Sequence, residues 1–169
     1  MSIGTVVLLP PAQLGPDRSA GWPGRREIQA ELLAYGINTL VIPEAPEPDE
    51  ELDLRGATAN WVAHNAIALS DAQPPKPVLL VASGAAGSLL PALGFSQRAS
   101  RRPVAGYVVV DGELPKAGAA DWPDAPVTYI TSANGGGDGD AAAREAELRG
   151  WTVVNNNEAA MALLEIARD

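Results

Sequence analysis

The chain has 169 residues, with 46% apolar and 20% charged positions and a formal charge of −9, the profile of one soluble globular domain with a single substantial core. That acidity argues against nucleic acid or an anionic membrane surface as the main partner, because both require clustered Lys and Arg. The absence of cysteine excludes a disulfide framework, a Cys-based zinc site and a thiolate nucleophile.

Six strand candidates alternate with helical stretches, the pattern of a doubly wound, mainly parallel sheet. Residues 5–9 (TVVLL) form the first strand, closed by Pro10 and Pro11, which cannot continue a ladder. A long Gly- and Pro-rich loop, 10–24, leaves the end at which doubly wound sheets build sites. A helix over 25–35 places Ile28, Leu32 and Tyr35 on one stripe and stops at Gly36. Strand 38–42 (NTLVI) and an acidic, Pro-rich loop over 43–53 follow, then a helix over 57–70 with Val62, Ala66 and Leu69 as its buried stripe. Strand 78–82, helix 87–97, strands 104–110 and 127–131, helix 140–149, strand 152–154 and helix 158–167 complete the chain. The 111–126 connection has no helical pattern of its own, and there is no room for a lid domain. No apolar run approaches the ~20 residues of a membrane helix. The opening MSIGTVVLLPP lacks the basic n-region of a signal peptide, so the expected location is cytoplasmic.

The most informative stretch is KPVLLVASGAAGSLL, residues 76–90: a buried-strand pattern running straight into a turn of small residues and then a helix. This strand–elbow–helix resembles the nucleophile elbow of the α/β-hydrolase superfamily, G-x-S-x-G with Ser on a strained turn. GTVVLLPP with Trp22 and INTLVIPE, PVAGYVVVDGELP, APVTYITSAN and GWTVVNNNEAAMALLEIA resemble the other landmarks of that fold in the same order. The resemblance spans residues 4–168, is nearest to the short, lidless members, and implies loss of the first two strands of the full fold.

The resemblance also implies where a triad would lie. Set without gaps on the family's GHSxGG, Ala82 takes the first Gly, Ser83 the His and Gly84 the nucleophilic Ser, with Ala86 and Gly87 as the last two glycines. One-residue slips place Ser83 or Ala85 at the tip instead, and Ser83 would preserve a nucleophile. The base position falls on Asn155, Asn156 and Asn157, whose amides accept no proton near neutral pH. Asn134 matches the acid by spacing, and Asp138 or Asp140 does so only if Gly135–Gly137 is an insertion. Pro10–Pro11 replaces the pair whose neighbouring N–H helps form an oxyanion hole, and proline has none to give. Four positions depart together, which points away from ordinary ester hydrolysis.

The remaining features each carry two readings. His64, the only histidine, lies about 160° from the Val62/Ala66/Leu69 stripe, so it reads as surface-packed before it reads as a base. Residues 83–88 (SGAAGS) are a tight turn before they are an anion cradle, since neither a P-loop nor G-x-G-x-x-G is present. The acidic loop with Glu44, Glu47, Asp49, Glu50, Glu51 and Asp53 is a solvated loop before it is a cation site, since it lacks the ligand spacing of a calcium loop. Asp111 and Glu113 follow a buried strand at the crevice end, as loop-capping carboxylates or as a lone acid/base. Arg98, Arg101 and Arg102 complement a helix C-terminus. Trp22 and Trp122 sit on loops at the expected crevice end and read equally as pocket lining or as core packing, whereas Trp61 and Trp151 read as core.

These observations predict a three-layer α/β sandwich with a sheet of about six strands. The leading functional reading is a hydrolase-like protein without the standard triad. It would bind a small apolar or acyl-type ligand through Pro11, Trp22, Gly84, Ala85 and Trp122, or a protein partner. A cyclase- or lyase-type enzyme using Asp111 and a serine hydrolase using Ser83 are the alternatives. No cofactor or metal is expected, and an oligomer is compatible with the composition.

Overall fold

The β-branched and leucine-rich runs pair, all in parallel, into one six-stranded sheet. The computed structural model describes residues 2–12, 24–46, 51–116, 125–132 and 137–169, the side chains of 137–140 excepted. In chain order the elements are β1 (Thr5–Leu8), α1 (Arg25–Ala34), β2 (Thr39–Val41), α2 (Leu54–Ala72) and β3 (Val78–Ser83). A 3₁₀ segment (Gly84–Leu89), α3 (Leu90–Ala99), β4 (Val104–Val110), β5 (Val127–Thr131), α4 (Gly137–Leu148), β6 (Thr152–Asn155) and α5 (Ala159–Arg168) follow. The strand order is β2-β1-β3-β4-β5-β6.

Because side chains alternate along a strand, each central strand feeds two cores. Val7, Leu80, Ala82, Tyr107, Val109 and Tyr129 meet α2, α3 and α4 through Trp61, Leu69, Leu90, Leu93 and Ala146. On the opposite face Val6, Leu8, Leu79, Val81, Val108 and Ile130 meet Leu32 of α1 and Leu163 and Leu164 of α5. The result is the expected three-layer sandwich. Among the described residues no helix is long and apolar enough to cross a membrane.

Three local expectations are corrected. Helix α2 begins at Leu54 rather than 57, because Asp53 caps it: Oδ1 accepts from Gly56 N–H at 2.7 Å. Its buried stripe is Trp61, Asn65 and Leu69, with Val62 and Ala66 only half-buried at its side. The stripe is turned because the Trp61 indole reaches in to donate to the Pro10 carbonyl at 3.1 Å, while Asn65 Nδ2 donates to the Trp61 carbonyl at 2.8 Å. The helix expected from 87 is a 3₁₀ segment until Leu89; the α-helix proper starts at Leu90, with Pro91 in its first turn, where a missing N–H is harmless.

The chain steps outward from β1 to β2 and then crosses back past β1 to β3. In doubly wound sheets such a reversal is the point at which a crevice is built beyond the carboxyl ends of the two strands, here β1 and β3. It lies between Pro10–Pro11 and the turn that follows Ser83.

Candidate functional site

The C-terminal edge of the sheet brings together most of the described residues that the sequence singled out. Leu9 N–H donates to the Val81 carbonyl at 2.9 Å, and Leu8 pairs with Val81, so Pro10 comes level with Ser83 two steps on. Ser83 pairs with Val110, Val110 with Ile130 and Thr131 with Asn155. Gly84, Asp111, Ser132 and Asn156 therefore follow directly on the ends of adjacent strands.

The elbow itself has a definite backbone. Ser83 is extended, with φ −135° and ψ 159°, and ends β3 as a half-buried strand residue. Gly84 turns into the left-handed region at φ +61°, a conformation that glycine adopts without the Cβ penalty of other residues. Ala85 is half-buried immediately after it, and its carbonyl accepts from Ser88 Oγ at 2.8 Å.

The turn after β4 is clamped against this elbow. Asp111 takes a left-handed φ of +45°, tolerable for Asp because its short side chain bonds locally. Its Oδ1 accepts from Ser132 N–H at 2.8 Å, while its own N–H donates to the Ile130 carbonyl at 2.9 Å. Glu113 N–H donates to the Gly84 carbonyl at 2.9 Å, and the buried Tyr129 hydroxyl donates to the Gly112 carbonyl at 3.1 Å. Burial raises the Tyr129 pKa, with the Asp111 carboxylate adding to the rise. Asp111 thus ties the end of β5 to the turn after β4 with one carboxylate oxygen. Asn156 is also occupied: its Oδ1 accepts from Glu158 N–H at 2.8 Å, just ahead of α5.

His64 stands apart from this row. It is half-buried, and Nε2 lies 2.8 Å from the Pro43 carbonyl beyond β2. A carbonyl can only accept, so this nitrogen carries the proton. The β2 strand lies two strand spacings from β3, roughly 10 Å. With Asn65 at the centre of the buried stripe, His64 is about 100° from that centre rather than the expected 160°.

One crevice-end residue escaped the sequence reading. Arg25, at the start of α1, donates from Nη1 to the Leu8 carbonyl at 3.3 Å and to the Ile42 carbonyl at 2.6 Å. It closes the ends of β1 and β2 with one guanidinium. Burial lowers its pKa, partly offset by Glu44. A charged residue at a helix start reads as solvated surface, and only the strand ends reveal its partners.

Pro11 is half-buried at the crevice, while Trp22, Trp122 and Asn134 lie outside the described residues, as do the side chains of Asp138 and Asp140. Trp61 is core as expected, and the half-buried Trp151 packs against the same core under the Arg149 guanidinium, 5.3 Å from its ring centre. Among the described residues no cluster of three or more His, Asp or Glu could hold a metal ion.

No family model matches the chain, and no curated protein does. Solved structures do. A protein of the α/β hydrolase superfamily from Xanthomonas campestris pv. campestris is similar at a TM-score of 0.64, with 14% identity over 98% of each chain. The thioesterase domain of NocB, solved in covalent complex with a fluorophosphonate nocardicin G analog, is similar at 0.58, with 13% identity over 96% of this chain and 88% of the other. A lipase-esterase related protein from Clostridium acetobutylicum follows at 0.57, with 10% identity over 99% and 97%. At these identities the likeness is one of fold: the chain is a three-layer sandwich of the α/β-hydrolase type.

Proposed function

We propose that this protein keeps the crevice of an α/β-hydrolase fold but works there without an acyl-enzyme, holding a small apolar or acyl-type ligand between Pro11 and the Gly84–Ala85 turn. The observation that carries the reading is Gly84. The left-handed turn residue beyond β3 has no side chain to attack with, while Ser83, one residue earlier, is extended strand. Three further features support it. The connection after β1 begins with two prolines, one of whose carbonyls is taken by Trp61. The Asn156 side chain is engaged locally, and the only histidine is bonded two strands away. A fixed, half-buried turn without a nucleophile can still bind a ligand by shape.

The test pairs binding with turnover. Calorimetry with hexanamide should show saturable binding that Ala85→Leu abolishes and Ser83→Ala leaves unchanged, while p-nitrophenyl butyrate is cleaved only at the background rate. Ester turnover that disappears in Ser83→Ala would overturn the proposal.

The solved neighbours favour a second reading, since they include a thioesterase domain and a lipase-esterase related protein. In that reading Ser83 is a nucleophile that acts after a one-residue shift of the elbow, with Asp111, which follows the β4 residue paired with Ser83, as a candidate carboxylate. Asp111→Asn would then suppress turnover while the fold is kept.

A further inference from the structure

We infer that the opposite, N-terminal edge of the sheet carries a second binding site, for a small organic anion with a phosphate or carboxylate head. A cavity of about 570 Å³ opens there between the ends of α2 and α3 and the entries to β3 and β4, within the size range of small-molecule sites. Lys76 enters it from the chain before β3, Arg102 from the chain before β4, and Gln97 and Ser100 from the end of α3, while Leu69 and Val78 supply an apolar wall. A second hollow of about 350 Å³ shares Arg102 and is lined by Arg98 and Arg101. Among the described residues no carboxylate lines either space. In a chain with 21 acidic and only 12 basic residues, the placing of Lys76 and Arg102 on one cavity is a local departure from the net charge.

Complementing the α3 dipole explains part of this cluster, because Arg98, Arg101 and Arg102 all lie in or just after the last turn of that helix. Two observations go further. Lys76 belongs to a different connection and faces the same cavity. Gln97 is 1% exposed, and its Nε2 is buried with no acceptor among the described residues. A buried amide donor left without an acceptor is costly, and Gln97 lines this cavity, where a ligand oxygen would satisfy it. Arg102 is tethered beside it. Its backbone N–H donates to the Gln97 carbonyl at 2.9 Å, and its Nη2 donates to Ser70 Oγ at 2.8 Å. Lys76, Arg102, Gln97 and Ser100, which carry an ammonium, a tethered guanidinium, an amide and a hydroxyl, line one cavity together with an apolar wall. That donor set suits an oxyanion on an organic body. The site is on the far edge of the sheet from the elbow and is independent of what happens there.

The test is isothermal titration calorimetry with inorganic pyrophosphate and with citrate, which separate a phosphate site from a carboxylate site. Saturable binding of one probe is expected, weakened at least tenfold by Lys76→Gln and by Arg102→Gln, weakened by Gln97→Leu, and unchanged in Ser83→Ala. Lys76 is exposed, so Lys76→Gln keeps the test decisive if a substitution at Gln97 or Arg102 impairs folding. Failure of both probes to bind at millimolar concentration, or binding that survives Lys76→Gln within twofold, would overturn the inference.

Discussion

Gly87 gives the most direct reading of how tightly the elbow is seated. It lies buried in the 3₁₀ segment, and a Cβ there would stand 2.4 Å from the Glu113 carbonyl oxygen and 2.9 Å from Val109 Cγ1. Ordinary C···O contacts begin at about 3.3 Å, so Glu113 must retreat by about 0.9 Å. It cannot do so freely, because its own N–H is bonded to the Gly84 carbonyl and Val109 is fully buried in the core. Overpacking of this kind costs about 1–3 kcal/mol, and the lost backbone bond about 1 kcal/mol more. Gly87→Ala should therefore lose roughly 2–4 kcal/mol, a fall in Tm of roughly 5–15 °C for a chain of this size. Gly150→Ala is the control: its φ of +81° carries strain, but nothing lies within 4 Å of the added Cβ, so about 1 kcal/mol is expected. Urea unfolding followed by tryptophan fluorescence measures both. If Gly87→Ala unfolds at the same midpoint as Gly150→Ala, the 111–115 turn is not docked on the elbow and the description of the crevice floor is wrong.

Other outcomes follow from single contacts. Arg25→Met should cost about 2–3 kcal/mol, since a charged donor leaves the Leu8 and Ile42 carbonyls; a loss below about 0.5 kcal/mol on urea titration would mean that water replaces it. Trp61→Phe removes the bond to the Pro10 carbonyl and should cost about 1 kcal/mol, with no change at all contradicting a fixed Pro10. Burial pushes the Tyr107 pKa up to about 12, with Arg98 opposing the rise. Between pH 10 and 12 the unfolded chain therefore loses this proton first, and stability falls as pH rises, by up to about 1.4 kcal/mol per pH unit from this group. Denaturant midpoints across that range should decline less steeply in Tyr107→Phe, and identical slopes would show that Tyr107 does not drive the decline.

Most of the fold was legible because its signals are local. The runs TVVL, VLLVAS and VAGYVVV are strands by composition and length, and Pro10 and Gly36 mark stops. Helix starts were less visible. Asp53 looked like one more charge in an acidic loop until its Oδ1 was seen on Gly56 N–H. The α2 stripe was misplaced by one residue because Asn65, a polar side chain, sits at 0% exposure in its centre, which no hydrophobic pattern reveals. At the site, sequence left Ser83, Gly84 and Ala85 as rival tips, since all three are small enough for a tight turn and the φ of +61° at Gly84 is seen only in the structure. Nor could it show that Asp111 is tied to Ser132 or Arg25 to the ends of β1 and β2, because those partners are distant in sequence, or that the Gln97 amide is buried without an acceptor.

Everything proposed for the crevice turns on whether the elbow of this hydrolase-type fold lacks a nucleophile at its tip. Incubation of the folded protein with a fluorophosphonate, read by intact mass beside Ser83→Ala, addresses that question without intermediaries. With Gly84 at the tip, neither protein should form an adduct. An adduct on the wild type that vanishes in Ser83→Ala would make Ser83 an activated serine and the crevice a hydrolytic site.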